Sequence, residues 1–137
     1  MQGKIMTNDT ISILAVEDES INQMVFKMFF KTLGLKAHVV DTGAQALLEI
    51  QNQHHDYHLV FMDLGLPDIS GIDVTVQIRQ FEQQNQLDPL YICALTATND
   101  EKLKQQALKV GMNEFMTKPI TLEAIKQTLE VFNISLA

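Results

Sequence analysis

Three carboxylates sit where apolar segments end. Glu17 and Asp18 follow Ile11-Ser12-Ile13-Leu14-Ala15-Val16, and Asp63 follows Leu59-Val60-Phe61-Met62. If both runs are buried parallel strands and neighbours, the three groups converge at one edge of a sheet. Their mutual repulsion is then costly unless protons or a cation offset it. A hard divalent cation with oxygen ligands suits such a cluster. Mg²⁺ fits best, because it takes one or two protein carboxylates, keeps several waters and leaves room for a phosphoryl oxygen. Zinc is disfavoured, since no Cys or His lies nearby in the sequence. Asp63 is the natural nucleophile, because a carboxylate can attack a phosphoryl group to give an acyl phosphate. Thr96 closes the run Leu90-Tyr91-Ile92-Cys93-Ala94-Leu95, and Lys118 follows Phe115-Met116-Thr117. A hydroxyl, an ammonium and a metal are three contacts for the equatorial oxygens of a transferring phosphoryl group.

The elements that must position these residues alternate. Strand-like runs of four to six residues are followed by helical patterns of ten to fourteen, the signature of a parallel sheet covered on both faces. The first helix opens at Ser20-Ile21-Asn22-Gln23, a capping box, closes at Gly34, and carries an apolar stripe of Ile21, Met24, Val25, Met28 and Phe29. The second opens at Thr42-Gly43-Ala44-Gln45 with Ala44, Leu47 and Leu48 inward, and loses its pattern in Gln51–His55. The third begins near Gly71 with Val74, Ile78 and Phe81 inward. The fourth runs from about Asp100 to Val110, and the fifth starts at Thr121 with Leu122, Ile125, Leu129 and Phe132 inward. Segments ending at Val16, Asp63 and Leu95 are apolar on both faces and belong in the centre, whereas 36–40 and 114–117 are mixed, as edges are. The fold class is therefore α/β, one doubly wound, flavodoxin-like sheet of five parallel strands in the order 2-1-3-4-5 with five helices. Its ligand belongs at the switch between strands one and three, where Asp18 and Asp63 face each other.

Composition bounds the rest. With 137 residues there is room for one domain, read as 11–133, with a polar N-terminal tail or linker at 1–10 and a C-terminal tail at 134–137. A net charge of −7 argues against direct nucleic-acid binding. No apolar stretch approaches the roughly 18 residues needed to span a bilayer, so no membrane contact is expected of this domain. One cysteine, Cys93, lies within an apolar strand and cannot form an intramolecular disulfide. The expected compartment is reducing, the cytoplasm.

Val16-Glu17-Asp18, Met62-Asp63-Leu64-Gly65-Leu66-Pro67, Ala94-Leu95-Thr96-Ala97 and Thr117-Lys118-Pro119 together resemble the four signatures of response-regulator receiver domains, in that family's order and spacing. The resemblance covers about Ile11 to Phe132. It implies that Glu17 and Asp18 hold Mg²⁺ with Asp63 and the backbone carbonyl of Gly65, that Asp63 accepts phosphoryl, that Thr96 senses it and that Lys118 bonds it. Phe115 matches the family's switch aromatic, and a cis peptide is implied at Lys118-Pro119. Glu17–Gln23, Leu33-Gly34, Pro67–Gly71 and Gly111–Phe115 are similar to receivers fused to hybrid sensor histidine kinases. Such receivers take phosphoryl from the histidine of a kinase domain, pass it to a histidine phosphotransfer domain, and catalyse their own phosphorylation and dephosphorylation. Leu66 and Gly65 depart from common family residues without removing a group that the chemistry needs.

Other readings compete. Glu17 and Asp18 could be solvated acids at a helix start, Asp63 a turn residue and Phe115 plain core. His54, His55 and His58 read as a solvated loop, and Lys102, Lys104 and Lys109 as a wet helix face. A phosphatase of the haloacid dehalogenase type also uses an aspartyl phosphate, but its second acid falls at Gly65. A degenerate receiver serving as a scaffold is opposed by the filled chemical positions. A stand-alone regulator acting by protein–protein contact and a domain of a hybrid kinase both remain open, as does a homodimer through the fourth helix, fifth strand and fifth helix.

Overall fold

The computed structural model describes residues 11–136. Its strands are β1 (Ser12–Val16), β2 (Lys36–Val40), β3 (Leu59–Asp63), β4 (Tyr91–Thr96) and β5 (Glu114–Thr117), in one parallel sheet ordered β2-β1-β3-β4-β5. The helices are α1 (Ser20–Thr32), α2 (Gly43–Gln53), α3 (Gly71–Gln84), α4 (Glu101–Lys109) and α5 (Leu122–Leu136), with a 3-10 turn at His54–Asp56. The order expected from strand composition is the order observed. Central β1 and β3 are buried throughout, while edge β2 is exposed over its first three residues.

Successive strand residues point to opposite faces, and the two faces build two cores. Leu14, Val16, Val60, Met62, Ile92 and Ala94 pack beneath α2, α3 and α4. Ile13, Ala15, Leu59, Phe61, Cys93 and Leu95 pack against α1 and α5. Among the described residues, no helix is long and apolar enough to cross a membrane. The tail expected at 1–10, and position 137, lie outside the described residues. Helix α5 continues through Leu136, past the expected domain end at 133.

Three local expectations need correction. Ser20 is the first residue of α1 rather than its cap; Glu19 holds the cap position, and its side chain makes no cap bond to the helix N–H groups. The buried face of α1 is Phe26 and Phe30, while Ile21, Met24 and Met28 are exposed. Apolar residues surround most of this helix, so periodicity alone leaves its phase open. Stacking of Phe26 on Phe30 at 5.4 Å and a tilted contact of Phe26 with Phe61 at 5.6 Å settle it. In α2 the inward residues are Ala46, Leu47 and Ile50, and Ala44 and Leu48 face water.

The loop histidines are the third correction, since of His54, His55 and His58 only His55 is exposed. The His54 Nε2 atom lies 2.7 Å from Glu82 Oε2, which also accepts the Leu90 N–H, and Arg79 donates to Glu82 Oε1 at 2.7 Å. Arg79 also donates to the carbonyl of Gly111 between α4 and β5. His58 Nδ1 accepts the N–H of Ser12 at 3.0 Å. These rings satisfy buried polar groups where the sheet's amino ends meet the loops.

Candidate functional site

Strands β1, β3, β4 and β5 deliver their polar residues to the same edge. Val16 pairs with Met62, Asp63 with Leu95 and Thr96 with Thr117, so the residues at or just beyond the carboxyl ends are level. The ladder continues into the loops, where Glu17 N–H donates to Val40, Leu64 N–H to Leu95 and Lys118 N–H to Thr96. The backbone at the site is held by the sheet rather than by the loops alone.

Glu17, Asp18 and Asp63 each offer a carboxylate oxygen within 4.8 Å of the others. Glu17 and Asp63 are buried, and Asp18 is exposed. The Lys118 ammonium donates to Asp63 Oδ2 at 2.9 Å and faces Glu17 Oε1 at 2.7 Å. Asp63 Oδ1 accepts the Gly65 N–H at 2.9 Å, and Glu17 Oε2 accepts that of Glu19 at 3.2 Å. Burial pushes the Glu17 carboxyl above the usual carboxylate range, and Lys118 pulls it back only in part. Burial also works against the Lys118 ammonium, but Glu17 and Asp63 outweigh it and raise that group above its ordinary value.

The donor set fits a hard divalent cation. Glu17 Oε1 is buried without an aligned hydrogen bond, so one oxygen has capacity left for a ligand. Three carboxylates against one ammonium leave an excess of two negative charges when all are ionised, the charge that one such cation would balance. All ligand atoms are oxygen, as Mg²⁺ prefers.

Thr96 ends β4, and its hydroxyl accepts the N–H of Thr98 at 3.2 Å. Phe115 is half-buried against the core on the α4 side. The Lys118–Pro119 peptide is cis, as the resemblance implies. Asp18, Asp63, Gly65, Thr96 and Lys118 line one cleft.

Three further residues shape this cleft. Gln23 donates to the Glu17 carbonyl at 2.6 Å and to Asp41 Oδ1 at 3.0 Å, and so ties the first acid-bearing loop to the β2–α2 junction. Asp68 accepts the N–H groups of Gly43 and Ala44. A Cβ on Gly71 would stand 2.3 Å from the carbonyl oxygen of Asp63, so only glycine lets α3 start this close to the strand end. Gln23 carried a capping signal in the sequence, Gly71 marked the start of the third helix, and Asp68 carried only the family pattern. None of the three announces its partner there.

The family model of the response regulator receiver domain matches residues 13–130. Hybrid signal transduction histidine kinase K of Dictyostelium discoideum is 36% identical over 132 residues, covering 93% of this chain and 11% of that protein. The osmolarity two-component system protein SSK1 of Saccharomyces cerevisiae is 32% identical, covering 87% of this chain and 20% of that protein. The chain thus spans between 5% and 26% of the length of such curated relatives. Among solved structures, the Ssk1 receiver domain crystallised with the histidine phosphotransfer protein Ypd1 superposes with a TM-score of 0.85 at 32% identity, covering 100% of this chain and 94% of that one. The receiver domain of the sensor histidine kinase PA1611 from Pseudomonas aeruginosa, which has magnesium in its active-site cleft, gives 0.78 at 30%, covering 90% and 97%.

Proposed function

Because the chain belongs to the response regulator receiver domain family and is a receiver domain of phosphorelay signalling, we propose that Asp63 is its phosphoacceptor. The observation that carries this is the Lys118 ammonium on Asp63 Oδ2 with the Glu17 and Asp18 carboxylates beside it. A carboxylate oxygen of Asp63 bonds to phosphorus as the bond from phosphorus to the donor nitrogen breaks. The donor is a phosphohistidine of a histidine kinase domain, and its imidazole leaves. Asp63 needs no base, since the carboxylate is already ionised when it attacks.

Glu17, Asp18, Asp63 and the Gly65 carbonyl would hold Mg²⁺, which when bound supplies positive charge against the phosphoryl oxygens. Lys118 adds its own charge at the same oxygens, and Thr96 can turn its hydroxyl from Thr98 to the phosphoryl group. That turn opens room for Phe115 to move inward, shifting the face formed by α4, β5 and α5. A histidine phosphotransfer domain is the proposed recipient when phosphoryl moves on, as the Ssk1 receiver's co-crystallisation with Ypd1 suggests. The relatives carry this domain within longer proteins, which favours a hybrid kinase or multidomain regulator over a stand-alone one. The acidic domain binds partner proteins rather than nucleic acid.

A small phosphodonor such as acetyl phosphate with Mg²⁺ tests the reading. Intact-mass spectrometry should show one phosphoryl group on the wild type and none on Asp63→Asn. An adduct that persists in that variant assigns the acceptor elsewhere.

A further inference from the structure

We propose that Asp68 is a positioning residue for the cation site, setting the path of the β3–α3 loop by fastening it to the N-terminus of α2. The inference rests on the cation reading above. A helix begins with backbone N–H groups that lack partners within it. In α2, Gly43 and Ala44 give theirs to the two oxygens of Asp68, each at 2.9 Å, from a loop 25 and 24 residues further on. The next two go to Thr42, at its hydroxyl and its carbonyl. One carboxylate thus grips the helix end with both oxygens, where its charge also suits the helix dipole.

The same contact is close-packed. A Cβ on Gly43 would lie 2.7 Å from Val74 Cγ2 and 3.2 Å from both the Cβ and the carbonyl oxygen of Ile69, so the helix end packs directly on the loop and on α3. The loop is pinned at its other points to Asp63 itself. Gly65 N–H donates to Asp63 Oδ1, Gly71 N–H donates to Leu64, and the Gly71 Cα rests against the Asp63 carbonyl. The β2–α2 junction also reaches the opposite wall, because Gln23 bridges Asp41 to the Glu17 carbonyl. Residues 41–45 therefore brace both acid-bearing loops, and Asp68 is the tie on the Asp63 side. Asp68 does not line the cleft, so its removal changes geometry and not the ligand set.

Mg²⁺ titrations of the wild type, Asp68→Ala, Asp68→Asn and Thr42→Ala, followed by the Gly65 amide in NMR spectra, test this alongside thermal unfolding of each without metal. Asp68→Ala should weaken Mg²⁺ binding by about fivefold, at or below the low end of what partners lying behind metal ligands usually cost. Asp68→Asn keeps an acceptor for the helix end and should recover much of that loss. Thr42→Ala removes the other side-chain cap of α2 without cutting the tie, and should bind Mg²⁺ as the wild type does. Wild-type affinity in Asp68→Ala, or equal weakening in Thr42→Ala, overturns the inference and leaves Asp68 as a helix cap. A wild type that binds no Mg²⁺ overturns the cation reading itself.

Discussion

Among the described residues, Lys118 is the one cation placed between buried acids at the site, and its loss is the sharpest residue-scale test. Glu17 is fully buried and Asp63 nearly so, both within 3 Å of the ammonium. Lys118→Met keeps much of the side-chain length and leaves the carboxylates facing each other without compensation. Metal-free stability should fall by about 2–4 kcal/mol, the order expected when one partner of a buried ion pair is removed. Added Mg²⁺ should recover part of it. Urea unfolding with and without the metal measures both, and an unchanged midpoint would show that the ammonium offsets little of the repulsion. At this scale the acids, hydroxyl and ammonium were legible because each follows a strand-like run. Asp68 and Gln23 were not, since each acts through a residue distant in sequence.

Helix ends make the next scale. Thr42 caps α2 by accepting the Gln45 N–H, whereas Ser20 lies inside α1 and makes no cap bond. Both sit in sequences that read as capping boxes, yet Thr42→Ala should cost about 1 kcal/mol and Ser20→Ala well under about 0.5 kcal/mol. Chemical denaturation of the two variants separates them, and equal losses would mean that Ser20 caps α1 in solution. The Ser20 box fails because Gln23 is drawn off to Glu17 and Asp41, a tertiary demand stronger than the local motif. Helix and strand existence were legible from alternation and length. The inward phase of α1 and α2 was not, since both carry apolar residues on more than one side and only packing against the sheet selects the face.

Across the whole molecule, two responses are expected. Thr96→Ala should still be phosphorylated but transmit less, because the hydroxyl is the proposed link between phosphoryl and the α4–β5–α5 face. Comparing NMR shifts with and without beryllofluoride reads this, and a coupling of about 1–3 kcal/mol is the usual size. Shifts confined to the neighbourhood of Asp63 in the wild type would make Phe115 core alone. The second response is to pH. Burial lowers the pKa of His58 from its ordinary 6.5, and its Nδ1 must stay unprotonated to accept the Ser12 N–H. The folded state then binds fewer protons than the unfolded one, so this contribution is complete above about pH 6.5 and declines as pH falls through the folded pKa. His58→Asn, which keeps an acceptor, should flatten the loss of stability as pH falls below about 6.5; an unchanged slope would place the titration elsewhere. The sequence by itself determined the strand order and the residues at the sheet edge, because alternation, strand composition and residue type are local properties of the chain. Tertiary structure alone decided which faces of α1 and α2 are buried, that His54 and His58 are structural, and that Asp68 fastens the loop after Asp63 to α2. Those outcomes depend on partners many residues away, and competition among such partners is resolved only when the layers pack.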